Sequence, residues 1–121
     1  MSVQFTDDLS ENIKALQAVF SGDSTFVTRR VRSPSGLCCA VFFFDGMVNN
    51  AAINESVIRP LVRAPSAGLS AEAVAQGVLQ VNDCKVVPDT GAMLSALLYG
   101  DTVILVAGDR RPIVVNTKGF S

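Results

Sequence analysis

An α/β fold, a single domain with one mixed sheet of about five strands and helices on its faces, is what three features of this 121-residue chain call for. An apolar run at residues 37–44 shows no alternation, as expected of a strand covered on both faces. A second apolar run, 103–107, is followed by a turn and a further apolar stretch. Between these runs lie segments whose apolar residues recur at helical spacing. The length fits one domain with a real core, and 49% hydrophobic against 17% charged residues describes a globular chain.

Residues 8–20 read as the first helix. Leu9, Ile13, Leu16 and Phe20 form one stripe, Asp8 and Glu11 a capping pair, and Gly22 the stop. "TFVTRRVRS" then alternates as a partly exposed strand. "PSG" turns it into "LCCAVFFF", so residues 25–44 form an antiparallel hairpin whose second strand is central.

"NNAAINESVIRPLVR" is helical, with Ile53, Val57 and Leu61 on one face and Asn49 or Asn50 as cap. Pro60 is expected to kink or end it, since proline lacks a donor and crowds the preceding turn. Ser70 caps a further helix through about Val81, with Leu69 and Val74 as its hydrophobic staple. A short strand at 84–87 closes on Pro88. Asp89 or Thr90 caps the helix over "GAMLSALLY", which Gly100 stops. Residues 102–116 form the closing hairpin, with "GDRRP" as its turn.

Charge and residue types exclude several functions. Ten basic and eleven acidic residues give a net charge of −1, and Arg29, Arg30 and Arg32 form one cluster too small for a nucleic-acid surface. The chain has no histidine, the commonest general base and metal ligand. Cys38, Cys39 and Cys84 make an odd count without a Cys-x-x-Cys pair, which reads as reduced, buried thiols. The N-terminus lacks the form of a secretory signal, and no apolar run approaches the roughly twenty residues of a membrane span, so a soluble domain is expected.

The segment "VFFFDGMVN" ends a greasy strand on Asp45-Gly46 and invites phosphoryl chemistry. Haloacid-dehalogenase-like enzymes place a nucleophilic aspartate two residues earlier, where this chain has Phe43. A receiver-type phosphoacceptor site needs an acidic pair after the first strand, whereas Asp7-Asp8 precede a helix; Lys118 is the one match. A turn explains the pair better: the aspartate bonds nearby backbone and Gly46 takes a positive φ. No phosphate loop, no Ser-x-x-Lys and no Gly-x-Ser-x-Gly is present, so no enzyme, cofactor or metal is expected.

"LSENIKALQAVFSGDSTFVTRRV", "FFFDGMVNNAAINESVIRPLV" and "LLYGDTVILVAGDRRPIVVNTKGF" follow one another in an order that carries a resemblance. From Leu9 to Phe120 the chain resembles the N-terminal cytosolic region of GerA-type spore germinant receptor A subunits. It departs from that pattern at Met47 and in the connection "RAPSAGLSAEAVAQGVLQ".

The resemblance implies a non-catalytic module, residues 1–121, forming the first soluble subdomain of a longer subunit. Such a subunit sits in the spore inner membrane with this domain on the cytosolic side. Expected partners are the second subdomain and membrane region of the same subunit, other receptor subunits and a small nutrient germinant. One expected role is nutrient sensing and signalling in germination; the alternative is an assembly module with no ligand contact of its own. Residues placed on the ligand or interlobe side are Asp45, Gly46, Asn54, Arg59 and Asp101, all read as lying at strand or helix ends.

Overall fold

The computed structural model describes residues 3–79 and 81–117. Lys118, Gly119 and Phe120, weighed above, lie outside these residues, as does Gln80 near the expected end of the third helix. Five strands, β1 (Phe26–Arg32), β2 (Cys38–Phe44), β3 (Cys84–Val86), β4 (Thr102–Val106) and β5 (Asp109–Val115), form one sheet in the order β1-β2-β4-β5-β3. Both expected hairpins and the short strand are present.

Every pairing is antiparallel, where a sheet of mixed direction was expected. The reason is topological: each helical excursion returns the chain to the end of the sheet from which the next strand runs opposite to its neighbour. Strand β2 is interior, between β1 and β4, and β4 holds the middle of the sheet.

Alternate residues of β2 serve two cores. Cys39, Val41 and Phe43 face one, with Ile104, Val106, Ile113 and Val115. Ala40, Phe42 and Phe44 face the other, with Val103, Leu105 and Val114. This explains the run without alternation, because neither face of the strand meets water.

Four helical segments cover the two faces among the described residues: α1 (Leu9–Val19), α2 (residues 50–62), α3 (residues 71–78) and α4 (Thr90–Leu98). Ile53, Val57 and Leu61 of α2 and Val74 of α3 fill the first core. Ile13 and Leu16 of α1 and Met93 and Leu97 of α4 fill the second.

The caps lie where the sequence places them. Asp8, Asn49, Ser70 and Asp89 each accept a backbone N–H of the helix that follows. The capping pair at α1 is completed differently: the Asp8 N–H donates to Thr6 Oγ1 at 3.0 Å, not to Glu11.

Pro60 does not end α2. Residues Asn54–Ile58 widen into a π turn, with the Arg59 N–H reaching the Asn54 carbonyl, and the helix continues through Arg59–Val62. Loosening the coil just before the ring accommodates the missing donor and the steric demand of proline. A second π turn occupies Val74–Val78 of α3, which stops there instead of reaching Val81.

The closing hairpin also turns earlier than "GDRRP" suggests. Gly108, at φ +88°, makes the turn, and Asp109 to Pro112 already belong to β5. Pro112 is tolerated beside a register irregularity of β4 and β5, where its carbonyl accepts the Val87 N–H at 2.9 Å.

Candidate functional site

Strand direction sorts the candidate residues into two regions. Phe42 pairs with Val103, so the end of β2 that leads to Asp45 neighbours the start of β4 that follows Asp101. Asp45, Gly46 and Asp101 therefore meet at one end of the sheet.

The turn there is made by backbone. The Asp45 N–H donates to the Thr25 carbonyl at 2.8 Å, the Met47 N–H donates to the Phe44 carbonyl at 3.1 Å, and Gly46 takes φ +90°. The Asp45 carboxylate is exposed and makes no hydrogen bond among the described residues, so the expected bond from this aspartate to nearby backbone is not formed. Gly46 is punctuation; Asp45 presents an exposed carboxylate.

Beside this turn runs a groove of about 260 Å³ lined by Phe20, Asp23, Thr25, Phe44, Met47 and Leu98. Its floor is an aromatic cluster in which Phe20 meets Phe44 edge-on at 5.1 Å. Thr25 donates its hydroxyl and its N–H to Asp23, which holds that carboxyl below its ordinary value. Met47 packs over Gly100, where an added Cβ would lie 3.4 Å from the methionine methyl.

Asn54 and Arg59 lie elsewhere, within α2 and not at an element end. The helix starts at the Asp45 end, where the Asn49 N–H donates to the Thr117 carbonyl. It runs back until the Ala64 carbonyl accepts Ser35 Oγ of the β1–β2 turn at 2.7 Å. Asn54 is engaged by the Arg29 guanidinium at 3.1 Å, which joins α2 to the edge strand β1.

Arg59 lines a concavity of about 230 Å³ between α2 and α3, with Glu55 and Arg63 as its other charged groups and Pro60, Ala64 and Val78 among its apolar lining. Arg59, Arg63 and Glu55 have no ion pair or side-chain hydrogen bond among the described residues. Both π turns contribute to this groove, through Glu55 and through Gly77 and Val78.

The sequence reading missed Glu55 and Arg63. Their spacing of four residues on either side of Arg59 was the available signal.

A third cluster holds α3 in place. Asp109 accepts the Ala71 N–H at 2.8 Å and two bonds from the Arg111 guanidinium, which also reaches Glu72. The Arg111 guanidinium holds the Asp109 carboxyl at about 2, with further help from the Ala71 and Arg111 N–H groups against the opposing effect of burial. All three cysteines are free thiols; Cys39 is buried, and Cys38 and Cys84 are half-buried. Among the described residues no three His, Cys, Asp or Glu side chains gather as metal ligands would. Likewise, no helix among them is long and apolar enough to cross a membrane.

These features define an antiparallel α/β module with a charged groove between α2 and α3 and exposed apolar side chains at the Asp45 end. The family model "Bacillus/Clostridium GerA spore germination protein" matches residues 14–121, and the chain belongs to that family. The fold is similar to the N-terminal domain of the A subunit of the Bacillus megaterium spore germinant receptor GerK3. That match has a TM-score of 0.70 at 20% identity and covers 99% of this chain and 50% of that one. The chain is also 22% identical over 113 residues to the uncharacterized membrane protein YfkQ of Bacillus subtilis (strain 168). It spans 93% of its own length in that match and 22% of the relative's.

Proposed function

We propose that this chain is a non-catalytic sensory module of a spore germinant receptor, with residues 1–121 forming the first soluble subdomain of an A-type subunit. In this reading the subunit sits in the spore inner membrane, with the module on its cytosolic side. The observation that carries the sensing role is the groove between α2 and α3. There two guanidiniums without ion-pair partners among the described residues, Arg59 and Arg63, share a groove with the Glu55 carboxylate and the apolar Pro60, Ala64 and Val78. A small polar nutrient bearing a carboxylate suits such a pair, because arginine binds carboxylates with two parallel hydrogen bonds.

A second reading, assembly without ligand contact, is favoured by the exposure of Met47, Leu98 and Tyr99, since an apolar surface of this kind suits a protein neighbour. The two readings separate in spores carrying the whole receptor with Arg59→Ala or Arg63→Ala. Under sensing, the nutrient concentration giving half-maximal germination rises about tenfold at unchanged receptor level. Under assembly through the exposed apolar side chains, these two variants leave receptor level and concentration dependence unchanged, whereas Leu98→Asp lowers receptor level or co-purification of the other subunits. An unchanged dose response at normal level in both variants overturns the sensing role of the groove.

A further inference from the structure

The two edges of the sheet differ. Strand β3 closes one edge with three residues, too short to template another chain. Strand β1 forms the other with seven, in unbroken antiparallel register with β2 and without proline or glycine. Its hydrogen-bond phase is fixed at both ends. The Asp45 N–H donates to the Thr25 carbonyl, and the Ser33 N–H donates to the Leu37 carbonyl. Bonded pairs alternate along an antiparallel ladder, so the odd-numbered residues of β1 turn their backbone toward β2. The N–H and carbonyl groups of Thr28, Arg30 and Arg32 therefore point away from the sheet, with no strand opposite them among the described residues.

Side chains decide what this edge accepts. Arg30 stands opposite Ala40 and Arg32 opposite Cys38, which puts both arginines on the face that α1 covers. Both are exposed, and neither has an ion pair or side-chain hydrogen bond among the described residues. Beside them a groove of about 260 Å³ is lined also by Leu9 of α1, Val31 and Cys38. A second copy of β1 laid on this edge brings like charges side by side, which opposes self-pairing. An extended segment with acidic side chains at alternate positions meets no such repulsion. Its backbone completes the ladder while its carboxylates reach Arg30 and Arg32. We propose that β1 is a docking edge for an acidic extended segment of a partner protein, added as a further strand along residues 28–32. This edge is separate from the α2–α3 groove, and the proposal does not depend on what that groove holds.

Blocked peptides of the length of β1 test this on the 121-residue chain. One alternates glutamate with valine, one alternates lysine with valine, and one is the glutamate peptide N-methylated throughout its backbone. The glutamate peptide should slow amide exchange at Thr28, Arg30 and Arg32 at least about fivefold, while Cys84 and Val86 at the other edge keep their rates. The lysine peptide and the N-methylated peptide should bind at least about tenfold more weakly by fluorescence anisotropy. Joint Arg30→Glu and Arg32→Glu substitution should reverse the preference in favour of the lysine peptide, in a chain that melts within about two degrees of the parent. Equal binding of the N-methylated peptide means charge attraction without strand pairing, and overturns the proposal. Unchanged exchange at the three amides overturns it as well. So does protection of these amides that grows with the concentration of the chain alone, which indicates a second copy. Protection by anionic vesicles but not by the glutamate peptide overturns it in favour of a lipid surface.

Discussion

The Asp109 carboxylate accepts the N–H of Ala71, the first residue of α3, across 38 positions of sequence at 2.8 Å. One acid thus caps a helix that covers the first core and anchors it to the β4–β5 turn. A carboxylate serves a helix N-terminus well because it satisfies an orphan donor and meets the positive end of the dipole.

Acid should therefore weaken the fold through this residue. The carboxyl is held at about 2 against an ordinary 3.8, first by Arg111 and then by the Ala71 and Arg111 N–H groups. A depressed carboxyl stabilises the fold fully above its unfolded value, and that contribution is lost as pH falls from about 4 through about 2. Its side chain is only 11% exposed, so the contribution is on the order of 2 kcal/mol. Arg111 and Glu72 are far more exposed, and their pair adds little. Urea unfolding should show Asp109→Asn less stable by about 1–2 kcal/mol at pH 7. The difference should shrink toward pH 2; a constant gap would detach the effect from ionisation.

Two glycines should respond in opposite directions to alanine. Gly100 has φ +104° and Met47 packed against it, so Gly100→Ala strains the backbone and is expected to cost about 1–2 kcal/mol. Gly77 sits in α3 with an ordinary helical φ and open space around it, so Gly77→Ala should stabilise by up to about 1 kcal/mol. Thermal melts of the two variants check both signs.

Thiol chemistry should follow burial. Cys39 is 2% exposed, and burial, with a smaller effect from the neighbouring Cys38, pushes its thiol up to about 12. Burial raises Cys84 as well, to a lesser degree. A thiol reagent at pH 7.5 should label Cys38 before Cys39, which is expected to react only on unfolding. Rapid native labelling of Cys39 would contradict the two-faced burial of β2.

Local signals made most of this fold legible. The caps at Asp8, Asn49, Ser70 and Asp89 need only a side chain and the next turn of backbone, and all four were readable. The two-sided burial of β2 followed from an apolar run with no polar face. Strand order did not, because the β2–β4 pairing joins residues some sixty positions apart, as in Val41 with Ile104. Asn12 was equally silent: it reads as a polar helix residue, yet it is 1% exposed and bonds both the N–H and the carbonyl of Thr6 at 2.8 Å. The candidate site was half legible. Position along the chain brought Asp45, Gly46 and Asp101 to one end of the sheet. The four-residue spacing groups Glu55 and Arg63 with Arg59, but the π turn before Pro60 that helps to shape the α2–α3 groove is a tertiary accommodation of the proline that this spacing does not convey.

Phe43→Asp should be severely destabilising. The ring is 5% exposed in the first core, so the substitution removes its packing and buries a carboxylate with no partner. Loss of the ring alone is worth about 3–5 kcal/mol, and the unpaired acid adds to it. Met47→Asp, at an exposed position, supplies the contrast and should stay within about 1 kcal/mol of the parent. A Phe43→Asp melt within a degree or two of the parent would mean that β2 is not an interior strand.

Asp45 and Gly46 are adjacent, and their substitutions should part company. The turn rests on backbone bonds from Asp45 and Met47 and on φ +90° at Gly46, while the Asp45 carboxylate makes no bond among the described residues. Gly46→Ala should therefore cost about 1 kcal/mol from backbone strain alone, since nothing lies within 4 Å of the added methyl. Asp45→Asn should stay within about 0.5 kcal/mol, as for any surface residue without a structural role. The same Asp45→Asn change in the whole receptor removes an exposed carboxylate that the turn does not use. Germination should slow with receptor level unchanged by immunoblot, a necessary control because small stability losses lower abundance. If Asp45→Asn destabilises the chain as much as Gly46→Ala does, the aspartate is part of the turn. Slower germination would then carry no information about a partner at this end of the sheet.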